Sequence, residues 1–284
     1  MFNKKFYIIV DDIFNNTYLI QKVFEKFSNC HEFLGILFRS ENQHLLQEKI
    51  NFHQTYKGQK ELSTEVVEQL ANLYGGLTNA AKEMIKRYGI PELNQELLNK
   101  AKFLGNNLNS EKIKSWLESE SEKYDSLEFF ISIDQILKPF WLKYSKVINA
   151  HPAVLPFARG MCALEQTLAK GDCEEVKKIV GATVHFIDEG VDTGNIITAR
   201  RITAPFSSHS LADLKGRCYI LSFDMLIEVI NDRFSNLDSE LVGITPNNEL
   251  IGPNYFIKDF TPEFEKATEK TFEKLKTSQD FCKI

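Results

Sequence analysis

Phe6-Tyr7-Ile8-Ile9-Val10 and, further on, Phe33-Leu34-Gly35-Ile36-Leu37-Phe38 are the two runs on which the fold turns. Both are short, uncharged and rich in β-branched and aromatic residues, the pattern of strands buried on both faces. Between them Leu19, Ile20, Val23, Phe24 and Phe27 recur at three- and four-residue spacing, which predicts an amphipathic helix. Strand, helix and strand with short connections predict a right-handed βαβ unit and an α/β fold with a parallel sheet.

Outward from this unit, residues 41–100 are polar and read as mostly helical. One helix is expected over Thr64–Tyr74, with Val66, Val67, Leu70, Leu73 and Tyr74 largely on one face. Gly75-Gly76 would break it; a plain helix–helix turn is the expected reading and a lid hinge the alternative. A second helix, about Thr78 to Tyr88, is stopped by Gly89 with Pro91 two residues on. Ser110 caps a helix over Glu111–Lys123, Leu127–Ile133 reads as a strand, and Val147-Ile148 as another. Leu211–Arg233 reads as an amphipathic helix, and Thr261-Pro262-Glu263 as the start of the last one. The expected division is a main domain over 1–235, carrying a helical insertion at about 50–100, and a C-terminal extension over 236–284 that ends in a helix.

The composition bounds function. The 284 residues are 43% hydrophobic, enough for a sizeable core, so intrinsic disorder is excluded. No stretch approaches the ~18 uncharged apolar residues of a transmembrane helix. The start, Met1-Phe2-Asn3-Lys4-Lys5, leads into the first strand without a long apolar core or cleavage site, so no secretory signal is expected. With 34 Lys and Arg against 39 Asp and Glu the net charge is -5, which argues against a nucleic-acid partner. Cys30, Cys162, Cys173, Cys218 and Cys282 are odd in number, scattered and without a CxxC pair. They read as reduced packing thiols of a cytoplasmic protein, and no ligand set for a metal is seen.

The chemistry concentrates in one segment. Asn149-Ala150-His151-Pro152 directly follows the strand at Val147-Ile148, at a strand's carboxyl end, where open parallel sheets bind ligands. Further on, Gly181-Ala182-Thr183-Val184-His185-Phe186-Ile187 reads as a strand. It is followed by Asp188-Glu189-Gly190-Val191-Asp192-Thr193-Gly194, a turning loop that carries Asp192 near a second strand end. Singly these residues say little: a His before Pro is ordinarily a turn residue, an Asp between glycines a turn former, a His in an apolar strand a core residue. Together they bring an amide donor, an imidazole and a carboxylate to strand ends.

The segment Val147 to Ile197 resembles the tetrahydrofolate-dependent formyltransferase family, and most closely the pattern of glycinamide ribonucleotide transformylases. The family's Asn-Ile-His-Pro-Ser-Leu-Leu-Pro element stands here as Asn149-Ala150-His151-Pro152-Ala153-Val154-Leu155-Pro156, followed by Arg159-Gly160. Its second element stands as Gly181-Ala182-Thr183-Val184-His185-Phe186 and ends in Val191-Asp192-Thr193-Gly194. Asp134-Gln135-Ile136-Leu137-Lys138-Pro139 is similar to the family's folate-contacting turn. The similarity covers roughly residues 6 to 232 and is specific from about 127 to 203.

The resemblance implies a Rossmann-like, mostly parallel sheet with helices on both faces. It implies transfer of the formyl group of 10-formyltetrahydrofolate to a primary amine of a small metabolite through a tetrahedral, oxyanion-bearing intermediate. Asn149 would donate to the oxyanion, His151 would assist it and move a proton, and Asp192 would orient the imidazole and favour its charged form. Gln135, Ile136 and Leu137, with Asp188, Glu189 and Gly190, would hold the folate. Thr183 would position a water, and His185 and Arg159 would support the site. The implied partners are folate and a small amine, with no nucleic acid and no membrane, and a homodimer is compatible.

Three features depart from the pattern. The family's glycine-rich, phosphate-cradling turn is replaced by Asp11-Asp12-Ile13-Phe14-Asn15-Asn16-Thr17, whose carboxylates would repel a phosphate. Gln135 stands where the family has a basic or aromatic residue. Residues 211–284 hold nine Lys and Arg against thirteen Asp and Glu, a poor platform for tRNA. A nucleotide-linked amino sugar or an amino-acid-derived amine is therefore the expected acceptor. The alternatives are a glycinamide ribonucleotide transformylase proper, a 10-formyltetrahydrofolate hydrolase and a non-catalytic folate-binding protein.

Overall fold

A computed structural model describes residues 3–235 and 240–281. The expected boundary at 236 and Cys282 lie outside the described residues. The chain divides into two compact units, Met1–Asn149 with Leu226–Leu241, and Ala150–Met225 with Val242–Ile284.

The first unit realises the βαβ reading. Strand β1 (Lys4–Asp11), helix α1 (Thr17–Phe27) and strand β2 (Phe33–Arg39) follow in order, and β1 pairs in parallel with β2. Strands β3 (Ala101–Phe103), β4 (Ser126–Ser132) and β5 (Lys146–His151) complete the order β3-β2-β1-β4-β5, every pair parallel. Successive strand residues point to opposite faces, and both faces of β1 are covered. Phe6 packs edge-on against Phe27 of α1, with ring centroids 5.7 Å apart. Tyr7 meets Trp116 of α6 (Glu111–Ser121), and its hydroxyl donates to Glu120 at 2.8 Å. This two-sided burial is why the strand reads as an unbroken apolar run.

The polar stretch after β2 is helical as expected: α2 (Leu46–Tyr56), α3 (Thr64–Tyr74), α4 (Asn79–Tyr88) and the single turn α5 (Leu97–Lys100). Side-chain caps start α3 and α4, from Ser63 to the Val66 N–H and from Thr78 to the Ala81 N–H. Gly75 closes α3 in the left-handed conformation at φ 69°. The residue before this bend is anchored: Tyr74 bonds His53 Nε2 at 2.8 Å, and Lys49 lies 4.6 Å from its ring centroid. The bend is a helix–helix turn in this structure.

The first βα turn is filled by its own ion pairs. Asp12 binds Lys49 at 2.6 Å and accepts from Ser40 at 2.9 Å, while Asp11 pairs with Arg39 and accepts the Asp134 N–H at 2.8 Å. The carboxylates that the sequence suggested would face a phosphate are therefore neutralised internally.

Helix α7 (Phe140–Tyr144) precedes β5, and the last ten residues of α10 (Leu211–Ser235) also belong to this unit. Arg233 of α10 grips Glu128 of β4 with contacts of 2.6 and 2.9 Å, and the two side chains are 2% and 0% exposed.

The second unit contains β6 (Arg159–Gly160), β7 (Gly181–Phe186), β8 (Ile196–Arg201) and β9 (Asn254–Tyr255). Strands β7 and β8 are antiparallel, and β6 pairs in parallel with β9. Helices α8 (Ala163–Leu168), α9 (Cys173–Ile179) and α11 (Pro262–Phe281) pack around a core that includes Leu164, Leu168, Val176, Leu214 and Phe272. Phe272 of α11 is fully buried there, so residues after 242 close the core of this unit. Among the described residues no helix is long and apolar enough to cross a membrane.

Removing one partner of a buried ion pair strands the other charge, at about 3–5 kcal/mol, whereas an apolar replacement of both is often neutral. Arg233→Ala is expected to lower the unfolding free energy, read from urea melts, by that order. The double change Glu128→Leu with Arg233→Met should recover most of the loss.

Candidate active site

Strand β5 ends in Asn149-Ala150-His151, and alternation places Asn149 and His151 on one face of that strand, two residues apart. Strand β7 contributes His185, fully buried, and the loop after it contributes Asp192. Asp192 takes the left-handed conformation, φ 51°, in a loop closed by Gly194, where a Cβ would collide with the Phe186 carbonyl.

Asp192 is the centre of the cluster. Its Oδ2 accepts the Gly160 N–H at 2.8 Å and lies 3.7 Å from His151 Nδ1, and its Oδ1 lies 3.5 Å from His185 Nε2. The two imidazoles meet edge-on with centroids 6.4 Å apart. His185 Nδ1 bonds the Phe186 carbonyl at 2.8 Å, which fixes its ring.

These surroundings set the protonation states. Burial disfavours the Asp192 carboxylate, but His151, His185 and the Gly160 N–H outweigh it and hold the group below the usual carboxylate range. His151 is held below the ordinary imidazole range, chiefly by burial and also by His185; the attraction of Asp192 opposes this without cancelling it. Asp192 does favour the charged form of His151, but desolvation is the larger effect. With Nδ1 facing Asp192 and the Ala158 carbonyl, the lone pair of the neutral ring sits on Nε2. That Nε2 is buried and has no hydrogen-bond partner among the described residues. A buried imidazole nitrogen left unpaired is costly and points to a ligand that completes it.

Thr183, which the sequence suggested for positioning a water, spends its hydroxyl on the backbone. Its hydroxyl, fully buried, donates to Ala153 O and accepts from the Leu155 N–H, both at 2.9 Å. It pins the turn that follows His151. Arg159 donates from Nη2 to the Gly252 carbonyl at 3.3 Å, and its buried Nε has no partner among the described residues. Gln135 spends its side chain within the first unit, accepting from the Leu108 N–H and donating to Asn107. The Ile136 carbonyl accepts from Asn109 at 2.8 Å, and the Ile136 side chain is 66% exposed, while Leu137 is buried. Any ligand contact from Gln135 falls to its backbone. Asp188 accepts from Gly190 N–H and from the Thr193 hydroxyl, which closes the loop ahead of Asp192; Glu189 and Gly190 are both exposed.

Gly160 is the contributor that reading the side chains misses. Its N–H binds Asp192, and its own position is set by Tyr255, whose carbonyl a Cβ on Gly160 would strike. The Arg159 N–H donates to the Pro253 carbonyl and the Met161 N–H to the Tyr255 carbonyl, at 3.1 and 3.0 Å. A backbone donor carries no side-chain signature, so its sole trace in the sequence is the glycine. Among the described residues no group of three or more His, Cys, Asp or Glu is placed to hold a metal ion.

Residues 135–230 match the family model described as formyl transferase. Phosphoribosylglycinamide formyltransferase of Bacillus subtilis is 44% identical over 57 residues, which are 20% of this chain and 27% of that protein. Methionyl-tRNA formyltransferase of Sulfurimonas denitrificans is 33% identical over 98 residues, 34% of this chain and 30% of that protein. The chain thus spans less than a third of the length of these curated relatives. Among solved structures, a sugar N-formyltransferase from a Shewanella species matches with a TM-score of 0.54 at 15% identity, over 94% of this chain and 87% of that one. A 4-N formyltransferase from Francisella tularensis matches with 0.51 at 16% identity, over the same shares. At these identities the likeness is one of fold.

Asp192→Asn removes the group that raises the His151 pKa, so the His151 ring signals followed by NMR should titrate at lower pH than in the parent. Stability should report the same charges. A neutral His151 in the fold makes stability fall as pH drops below about 6.5, and the depressed Asp192 adds a further loss below about 4, as its unfolded-state counterpart protonates first. Asp192→Asn should lose the lower step in pH-dependent urea melts.

Proposed function

We propose, on the premise that this chain belongs through residues 135–230 to the formyl transferase family, that it is an enzyme moving the formyl group of 10-formyltetrahydrofolate to the primary amine of a small metabolite. The observation that carries the reading is the unpartnered Nε2 of a neutral, buried His151, backed by an ionised Asp192 and set two residues after Asn149 on one strand.

The folate, when bound, supplies an electrophilic formyl carbon on nitrogen, whose oxygen gains negative charge as an amine attacks. Asn149 offers an amide N–H to that oxygen, a donor of the kind worth about 100-fold or more in rate. The free lone pair of His151 takes a proton from the attacking nitrogen, which the neutral imidazole is poised to do, and the adjacent carboxylate stabilises the cation that results. His151 then returns the proton to the departing folate nitrogen, so that the enzyme ends in its starting state. Asp192 can serve this role at neutral pH because its depressed pKa keeps it ionised. We assign the folate to the backbone of Gln135–Leu137 and to the loop Asp188–Gly190, with Arg159 and His185 supporting the catalytic groups. The unpaired His151 nitrogen and the buried Arg159 Nε fit a ligand rich in carbonyl and amine groups.

For the acceptor, the first βα turn supports a molecule other than glycinamide ribonucleotide. Asp12, Lys49 and Ser40 already satisfy one another there, leaving no bare N–H cradle for a phosphate. Nucleotide-linked amino sugars are the first class to test, as one of the fold neighbours named above is a sugar N-formyltransferase. The expected setting is the cytoplasm.

The test is an assay of 10-formyltetrahydrofolate with a panel of amines, scored by mass spectrometry for N-formyl product. Folate turnover that needs an amine supports the transferase, and equal turnover in its absence would mean a hydrolase. Asn149→Ala should lower kcat about 100-fold and His151→Ala more, with folate affinity and the circular dichroism spectrum retained. Unchanged turnover in Asn149→Ala removes the oxyanion role assigned to it.

A further inference from the structure

Besides His151 Nε2, two buried side-chain atoms of the second unit have no hydrogen-bond partner among the described residues: Arg159 Nε, a donor, and Asn254 Oδ1, an acceptor. They stand on neighbouring strands. β6 and β9 pair in parallel with Arg159 opposite Asn254 and Gly160 opposite Tyr255, and partners in such a ladder project to the same face. Tyr255 turns the other way, its hydroxyl 3.2 Å from Thr167 Oγ1 on α8. The Arg159 guanidinium lies along the chain leading into β9, because its Nη2 donates to the Gly252 carbonyl at 3.3 Å. An orphaned donor and an orphaned acceptor on register partners are most simply completed together, by one water that accepts from Nε–H and donates to Oδ1.

Asn254 also stands against the backbone that serves the catalytic carboxylate. Gly160 has φ 80°, and a Cβ built on it would lie 2.6 Å from Asn254 Oδ1. The N–H of that same Gly160 donates to Asp192 Oδ2 at 2.8 Å. A displaced Asn254 carboxamide would therefore move the donor that Asp192 uses. We propose that Asn254 and Arg159, joined by one buried water, are positioning residues for Asp192: together they hold the Gly160 N–H on the carboxylate. They act through Gly160 and touch no reacting atom. The other groups facing Asp192 are the His151 ring from β5 and the His185 ring from β7. Asn254 lies beyond residues 135–230, which match the family model, so this support comes from the carboxy-terminal residues and not from the matched core. Only its effect on rate rests on the transferase reading above.

The test compares the full chain with Asn254→Leu, Asn254→Asp, Arg159→Met and the double change Asn254→Leu with Arg159→Met, each checked for folding by circular dichroism. Hydrogen exchange of the Gly160 amide, followed by NMR, should run about 10-fold faster in Asn254→Leu and in Arg159→Met. The Leu155 amide, held by Thr183, should keep its parent rate. Asn254→Asp retains an oxygen in the same place and should retain slow exchange at Gly160. The double change should be no worse than either single one, because each alone already breaks the bridge. In Asn254→Leu the kcat for formyl transfer should fall about 10- to 100-fold with the KM for folate unchanged. A crystal structure of the parent chain should place one water within about 3.2 Å of both Arg159 Nε and Asn254 Oδ1. The exchange and crystallographic measurements need no substrate, so they decide this inference whether or not an amine is formylated. Parent-like exchange at Gly160 in Asn254→Leu would overturn it, as would single effects that multiply in the double change, or the lack of a shared water. Equal acceleration at Leu155 would mean general destabilisation and overturn it as well.

Discussion

A buried carboxylate at the head of a glycine-flanked loop is the constraint on which the second unit depends. Asp192 is largely removed from water, and an isolated charge in such a place is costly. It stays ionised because three donors or dipoles converge on it: the His151 ring, the His185 ring and the Gly160 N–H. Each of these is in turn held by something else. The Phe186 carbonyl holds His185. Thr183 holds the turn after His151 by bonding both Ala153 and Leu155. Tyr255 and Pro253 hold the strand that carries Gly160. The carboxy-terminal residues therefore act on the carboxylate without touching it, because β9 fixes the backbone donor that Asp192 requires.

The charge pairs of this protein are unequal in consequence. Lys177–Glu174 and Lys178–Glu175 are solvent-exposed neighbours on one helix, and pairs of that kind contribute little. Glu128–Arg233 and Asp12–Lys49 are buried, and their value lies in register rather than net energy. Arg233 cannot leave Glu128 without exposing a charge to the core, so the pair fixes the end of α10 against β4. Lys49 does the same for α2 at the end of β1. The two pairs specify where helices sit on a sheet whose apolar contacts alone would tolerate sliding.

Much of this was legible in the sequence, for physical reasons that differ by element. The strand at 6–10 could be read because both its faces are buried, so its composition is uniformly apolar. Helices α3 and α4 could be read because their ends are local, with Ser63 and Thr78 capping and Gly75 and Gly89 closing them. Asn149, His151 and Asp192 stood out through residue type and spacing, and two of them, His151 and Asp192, meet in the second unit. Strand β8 was not read: its last three residues, Ala199-Arg200-Arg201, are exposed, and no apolar run marks them. Short α8 and α9 were not read either, since fewer than two turns give periodicity too little to work with. The support of Gly160 by Tyr255 joins residues nearly a hundred positions apart through backbone atoms, which no side-chain pattern encodes.

The same contrast explains the first βα turn. From sequence, Asp11-Asp12 in place of glycines suggests a site that repels anions. In the fold these carboxylates repel little, because Arg39 and Lys49 neutralise them and Ser40 and the Asp134 N–H take up their remaining lone pairs. What bars a phosphate is occupancy: the donors that would meet it are already spent on the protein's own acids. Nor would removing Asp12 by itself create a phosphate site. It would leave Lys49 buried against the Tyr74 ring without its carboxylate partner. Converting the turn to an anion site would require the glycine backbone and the helix α2 lysine to change together. Asp12 of this turn and Lys49 of α2 thus form one unit, in which neither side chain can be exchanged alone.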